Sequence, residues 1–131
     1  MSKSVLIIDD EPAITGALMT RLEAHGHEVF HAINGLAGVE AAAMHEPAVI
    51  ILDVRMPDID GFETFERIRR MPHLQRTPIV FLSAHAQEDA RHRARELGAV
   101  GFLSKPYDSK DILAIIDSIE DENDPTTADA A

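Results

Sequence analysis

Asp9, Asp10 and Glu11 follow one short aliphatic run, Asp53 another, Ser83 a third and Ser104-Lys105-Pro106 a fourth. A single acid behind an apolar run is ordinarily a turn residue or a helix cap. Two adjacent acids with a third presented from a neighbouring run serve poorly as caps, and carboxylates held close repel unless a cation neutralises them. A divalent cation with oxygen ligands resolves that repulsion. Mg2+ suits a site of few carboxylates, because it keeps waters and accepts a phosphate oxygen. Lys105 adds a second, mobile positive charge and Ser83 a hydroxyl donor, although most lysines are simply exposed surface residues. Acids, one hydroxyl and one lysine at the same sheet edge describe a site for phosphoryl transfer.

These residues converge only if the elements between them bring them to one edge. Five short apolar runs, 5–8, 29–33, 48–52, 79–82 and 100–103, are separated by segments of helical periodicity. Four runs are almost continuously apolar, as parallel strands covered on both faces are; the second is interrupted by His31 and reads as a strand nearer an edge. Residues 11–25 place Ile14, Leu18 and Leu22 four apart, with Ala13 and Ala17 beside them and Gly26 as a C-terminal stop. Residues 35–45 offer Leu36, Val39 and Ala43 before Pro47. Residues 60–71 open with Asp60 and Glu63 at capping-box spacing and continue with Phe62, Phe65 and Ile68. Residues 86–97 carry a thin stripe of Ala86, Ala90, Ala94 and Leu97. Residues 109–120 carry a fuller one, Ile112, Ile115, Ile116 and Ile119, behind Asp108 as N-cap. The alternation is (βα)5, an α/β chain with a parallel sheet and helices on both faces. In such a sheet function lies outside the carboxyl ends of the strands. In a doubly wound order such as 2-1-3-4-5 the first and third strands are neighbours, and Asp9, Asp10 and Asp53 converge.

Composition bounds the rest. The 131 residues fit one domain and suffice to bury a core without disulfides or a structural metal. The absence of cysteine excludes thiol catalysis and Cys-ligated zinc, and fits a reducing cytoplasm. Formal charge is −11, with six acids and no base in residues 117–131, which leaves residues 1–116 at −5. Such a chain makes a poor sequence-independent nucleic-acid binder. Four aliphatic residues after Met1-Ser2-Lys3-Ser4 are too few for a signal peptide, and no run approaches the ~18 apolar residues of a membrane helix. The expectation is a soluble cytoplasmic domain over residues 1–120. The acidic, small-residue-rich segment 121–131, with Pro125, is expected to be disordered.

The strings Asp9-Asp10-Glu11, Ile51-Leu52-Asp53-Val54-Arg55-Met56-Pro57-Asp58-Ile59-Asp60-Gly61, Leu82-Ser83-Ala84 and Lys105-Pro106 occur in that order. Together they resemble the receiver domain of bacterial two-component response regulators, of the single-domain, chemotaxis-regulator-like kind, over about residues 4–120. The resemblance implies a flavodoxin-like five-stranded parallel sheet of order 2-1-3-4-5. It implies Asp53 as the phosphoacceptor, a carboxylate nucleophile toward a kinase phosphohistidine. Asp10 matches a direct ligand of Mg2+ (Mn2+ as the alternative), Asp9 an acid acting largely through water on the metal, and the backbone carbonyl of Arg55 a third protein ligand. Ser83 matches the hydroxyl that bonds the phosphoryl group and Lys105 the lysine that pairs with it, with a cis Lys105–Pro106 peptide. Arg55 and His85 stand where the family varies. Phe102 matches an aromatic that turns inward on activation, switching a face formed by helix 86–97, strand 100–103 and helix 109–120. The implied partners are a sensor histidine kinase or histidine phosphotransfer protein and an unknown output protein. No direct contact with nucleic acid or membrane is implied, and the chain would be a monomer or a weak phosphorylation-dependent dimer.

Other signals are weaker. Asp58-Ile59-Asp60-Gly61 reads as loop and helix cap rather than as a phosphatase or calcium motif. His25 and His27 near a turn make a poor metal site, and Ser83 lacks the glycines of a hydrolase nucleophile elbow. Arginines 67, 69, 70, 76, 91, 93 and 95 form a basic region on an acidic chain, a solvated face unless an acidic partner docks there. Two rival readings stand beside the signalling module. One is the receiver part of a longer regulator; the other is a Mg2+-dependent phosphatase acting through Asp53.

Overall fold

In the computed structural model, residues 2–84 and 88–119 are described, apart from the side chains of Ile14 and Glu88. His85, Ala86 and the acidic segment 121–131 singled out above lie outside the described residues. The chain runs β1 (Ser4–Ile8), α1 (Pro12–Ala24), β2 (Glu28–Ala32), α2 (Gly35–His45), β3 (Val49–Asp53), α3 (Gly61–Arg69), a 3-10 turn (Pro72–Leu74), β4 (Ile79–Ser83), α4 (Glu88–Leu97), β5 (Gly101–Ser104) and α5 (Ser109–Ser118). All five strands are parallel, in the order β2-β1-β3-β4-β5. The expected (βα)5 architecture and strand order are therefore present.

Side chains of the strands alternate between two apolar layers, as their period of two requires. Leu6, Ile8, Ile50, Leu52 and Phe81 point to one face, where Ala42 of α2, Phe62, Phe65 and Ile68 of α3 and Ala94 of α4 cover them. Val5, Ile7, Ile51, Val80 and Leu82 point to the other, against Leu18 and Leu22 of α1 and Ile112 and Ile116 of α5. The stripes expected on α3 and α5 do face the core; of the thin one on α4, among the described residues, Ala94 alone is fully buried and Ala90 and Leu97 are half-buried. Among the described residues no helix is long and apolar enough to cross a membrane.

Three details differ from the sequence pattern. The run 100–103 reads like a strand covered on both faces, yet β5, at the edge of the sheet as the order 2-1-3-4-5 requires, is half-buried along its length. Ile33 and Val100, expected inside strands, lie outside them, and Ile33 is 59 % exposed. The third difference is α2. Its inward residues are Gly35, Gly38 and Ala42, whereas Leu36 and Ala43 face solvent. A Cβ at Gly38 would come within 2.5 Å of the Ile8 side chain, so only a glycine lets the helix approach β1 this closely.

Local capping fixes where the helices begin. Asn34 Oδ1 accepts from the Ala37 amide at 2.8 Å, Asp60 Oδ1 from Glu63 at 2.8 Å and Asp108 Oδ1 from Lys110 at 2.9 Å. The box at Asp60 is half-formed, because the Glu63 carboxylate turns instead to Arg67 at 3.2 Å. Asp58 caps across the structure. Its two oxygens accept from the Gly35 and Leu36 amides of α2 at 2.9 and 2.8 Å. What burial it has opposes ionisation, but these amides outweigh that and hold its carboxyl below the usual carboxylate range. Asp58→Ala is expected to lower stability by about 1 kcal/mol, the worth of a helix cap. Urea unfolding at neutral pH measures it, and an unchanged midpoint would show that the two bonds contribute nothing net.

Candidate functional site

The parallel register that pairs Ile8 with Leu52 brings the next residues, Asp9 and Asp53, to the same edge of the sheet. Asp53 pairs with Leu82 and Ser83 with Ser104, so the C-terminal ends of β1, β3, β4 and β5 lie side by side. The Lys105 amide bonds the Ser83 carbonyl at 2.7 Å, and Lys105–Pro106 is cis, as the resemblance implies. At the same edge α3 begins so close to β3 that a Cβ on Gly61 would collide with the Asp53 carbonyl oxygen. The Gly61 amide closes that turn on the Val54 carbonyl at 2.7 Å.

Three polar residues at this edge are nearly inaccessible: Asp9 (1 %), Ser83 (3 %) and Asp53 (4 %). The Lys105 ammonium reaches between the acids, 3.0 Å from Asp53 Oδ2, 3.2 Å from Asp9 Oδ2 and 3.3 Å from Glu11 Oε1. The other Asp9 oxygen accepts from the Glu11 amide at 2.9 Å. The Arg55 amide donates to the Asp53 carboxylate. His31 Nε2 lies 2.8 Å from the Asp9 carbonyl oxygen, so that nitrogen is the donor. Carboxylate oxygens of Asp9, Asp10, Glu11 and Asp53 all lie within 4.8 Å of one another, Asp10 and Glu11 on the exposed side. Beside the lysine a groove of about 890 Å3 opens between α1 and residues 105–109, lined by Leu18, Arg21, Pro106, Tyr107 and Ser109.

Sequence reasoning thus gathered Asp9, Asp10, Asp53, Ser83 and Lys105 correctly at one edge. It assigned nothing to Glu11 beyond a place in the motif, although Glu11 belongs to the acid cluster and pairs with the lysine. Arg55 meets the site through its amide. Phe102 is half-buried on β5, packed against the core layer that α4 covers. The Arg91 guanidinium lies 5.0 Å from its ring centroid, with Arg91 Nη2 also 3.4 Å from Ser104 Oγ. That clamp had no signal in the sequence, since it needs α4 folded over β5.

Charge explains the protonation behaviour. Burial pushes the Asp53 carboxyl up to about 6, and the neighbouring Asp9 charge adds to this. Lys105 and the Arg55 amide pull the other way without prevailing. The ammonium divides its attraction among three carboxylates; burial opposes its charge, but Asp53 and Asp9 hold it above the usual lysine range. Between pH 3.8 and about 6 the folded chain therefore retains a proton on Asp53 that the unfolded chain has released. Stability accordingly falls as pH rises through that window, by up to about 3 kcal/mol for a shift of about two units. In chelator-treated protein, Asp53→Asn is expected to become progressively more stable than wild type between pH 4 and 7. Urea unfolding across that range checks it; a pH-independent difference would contradict it.

Four carboxylates against one ammonium leave about three uncompensated negative charges within a few ångströms, which is the donor set of a hard divalent cation. Comparison with known proteins gives the family and the fold. Residues 5–117 match the family model described as the response regulator receiver domain. The protein PilH of Pseudomonas aeruginosa is 31% identical over 115 residues, covering 88% of this chain and 95% of PilH. The chain spans about half the length of other curated relatives it matches, several of them named as transcriptional regulators. Among solved structures, chemotaxis protein CheY4 of Vibrio cholerae superposes with a TM-score of 0.85 at 28% identity, over 92% of this chain and all of that one. The receiver domain of sensor histidine kinase PA1611 from Pseudomonas aeruginosa superposes with a TM-score of 0.80 at 25% identity, over 88% of this chain and 95% of its own. That structure has a magnesium ion coordinated in its active site cleft.

Proposed function

This chain belongs to the response regulator receiver domain family, the phosphoryl-accepting signalling modules of two-component systems, and on that premise we propose that Asp53 is its phosphoacceptor. The observation that carries the reading is the buried Asp53 carboxylate held by Lys105 in the midst of the acid cluster. An Asp53 oxygen attacks the phosphorus of a phosphohistidine on a histidine kinase or phosphotransfer protein. An O–P bond forms, the P–N bond breaks, and the imidazole leaves as the proton-accepting group. Lys105, already 3.0 Å from Asp53, pairs with the arriving phosphoryl oxygens, and the Ser83 hydroxyl donates to another.

Asp9, Asp10 and Asp53, with the backbone carbonyl of Arg55, would hold Mg2+ or Mn2+. Bound there, the cation supplies neutralisation of the charge on the phosphoryl group. Glu11 joins this set as the outer acid. The family match over residues 5–117 favours a signalling module over a phosphatase acting through Asp53. Residues 1–120 are the receiver unit, 121–131 an acidic tail, and the site of action the cytoplasm.

Phosphorylation adds negative charge and acceptor oxygens within reach of Ser83 and Lys105. Drawing the Ser83 hydroxyl inward vacates space into which Phe102 turns, and the helix beside it responds. Among the described residues of α4 only Ala94 is fully buried, so little apolar area holds the helix. The switched face is α4, β5 and α5, a docking surface for an output protein. Amide exchange with and without beryllofluoride, a phosphoryl mimic, tests this. The largest changes in protection are expected in residues 88–97, 101–104 and 109–118, with β1 and β3 unchanged. Changes concentrated in residues 12–45 would overturn the switch.

A further inference from the structure

Seven of the chain's twelve basic residues fall between positions 67 and 95, and the phosphoryl chemistry uses none of them. Residues 67–97 hold seven arginines and three acids, on a chain whose net charge is −11. Several of these arginines are engaged locally. Arg67 pairs with Glu63, and Arg69, Arg91 and Arg93 lie over the rings of Phe65, Phe102 and Phe62. The acid Glu96 is likewise engaged, by His92 at 2.8 Å. Arg70, Arg76 and Arg95 are different: they are exposed, and among the described residues none carries an ion pair or a side-chain hydrogen bond. Topology sets them on one rim. Arg70 is the C-cap of α3, Arg76 precedes β4, and Arg95 lies in the last turn of α4, all at the N-terminal edge of the sheet. There the Val100 amide ties the start of β5 to Ile79 at 2.9 Å.

α5 ends at that same edge. Lys3, just ahead of β1, bonds the Ile116 carbonyl at 2.7 Å, which anchors the end of the helix beside the N-terminal ends of the strands. From there the sequence continues into residues 120–131, which contain Glu120, Asp121, Glu122, Asp124 and Asp129 and no base. The path from the α5 layer around the sheet edge to the α3–α4 layer is about 20 Å, two packing distances. Six or so extended residues cover it at about 3.4 Å each. The charges are complementary, the exit and the rim share an edge, and the length suffices.

We propose that Arg70, Arg76 and Arg95 form a docking surface for the chain's own acidic segment, residues 120–131. Attraction between such exposed charges is screened by salt, over about 10 Å at 0.1 M and about 3 Å at 1 M. The chain has no cysteine, so Ala128→Cys accepts a single nitroxide label in the 131-residue chain. At low salt the amide signals of residues 70–76 and 93–97 are expected to lose at least about half their intensity relative to the reduced label, and to recover near 0.5 M salt. The triple variant Arg70→Ser, Arg76→Ser, Arg95→Ser is expected to abolish the broadening. So is neutralisation of the five acids of residues 120–131 to Asn or Gln, which leaves residues 2–119 unchanged. Absence of broadening at low salt, or broadening that survives either set of substitutions, would overturn the proposal. Mixing labelled protein with isotope-enriched unlabelled protein separates the occupants: broadening in the mixture would mean that the segment docks on a second copy, which also contradicts docking within one chain.

Discussion

Chelation of divalent cations is expected to reduce phosphoryl acceptance by orders of magnitude, and Asp10→Asn is expected to weaken Mg2+ binding by roughly ten- to a hundredfold. Asp9, Asp10, Glu11 and Asp53 present four negative charges to one ammonium, and a dianionic phosphoryl donor must approach that surplus. At about 4 Å and an effective dielectric of about 20, each pair of unit charges interacts by about 4 kcal/mol, so an uncompensated cluster repels the donor strongly. The four acids are not equivalent. Both oxygens of Asp9 already accept, one from the Glu11 amide and the other from Lys105. Asp10 is exposed, and among the described residues no hydrogen bond or ion pair engages it. Replacing Asp10 by Asn therefore removes a charge presented outward, whereas Asp9→Asn disturbs a carboxylate committed to internal bonds. Titration of Mg2+ into each variant measures the difference; wild-type affinity in Asp10→Asn would show that the metal is held elsewhere.

The sequence made the alternation of strands and helices legible because fully buried parallel strands leave short aliphatic runs. The acids, serine and lysine closing those runs marked the functional edge for the same reason. Caps at Asp60 and Asp108 were legible too, since a carboxylate before an amphipathic segment has few other uses. What escaped depended on distant pairs. The inward face of α2 is written in Gly35 and Gly38, and periodicity counts apolar side chains, not the absence of one. Asp58 reads as a loop acid until α2 is placed beside it. Glu11 carries no spacing that distinguishes a ligand from a helix-start acid, and its proximity to Lys105 exists only once β5 lies beside β4. The half-burial of β5 is not written in its apolar run, although the expected order 2-1-3-4-5 already places that strand at the edge. Arg91 over Phe102 is a contact between α4 and β5 that no local pattern announces.

Asp53→Asn is expected to remove phosphoryl acceptance entirely. The amide preserves the shape of the side chain, but it lacks the carboxylate oxygen that would attack phosphorus, and no other acid is so presented. Asp53 closes β3, the central strand, with Asp9 beside it after β1 and Asp10 and Glu11 on the exposed side of the cluster. The most direct measurement is to incubate the protein with acetyl phosphate and Mg2+, reduce the acyl phosphate with borohydride, and locate the reduced residue by peptide mass spectrometry. The account predicts a single reduced side chain, at position 53 in the wild type, and none in Asp53→Asn. Reduction mapped to Asp9, Asp10 or Glu11, or undiminished in Asp53→Asn, would contradict it.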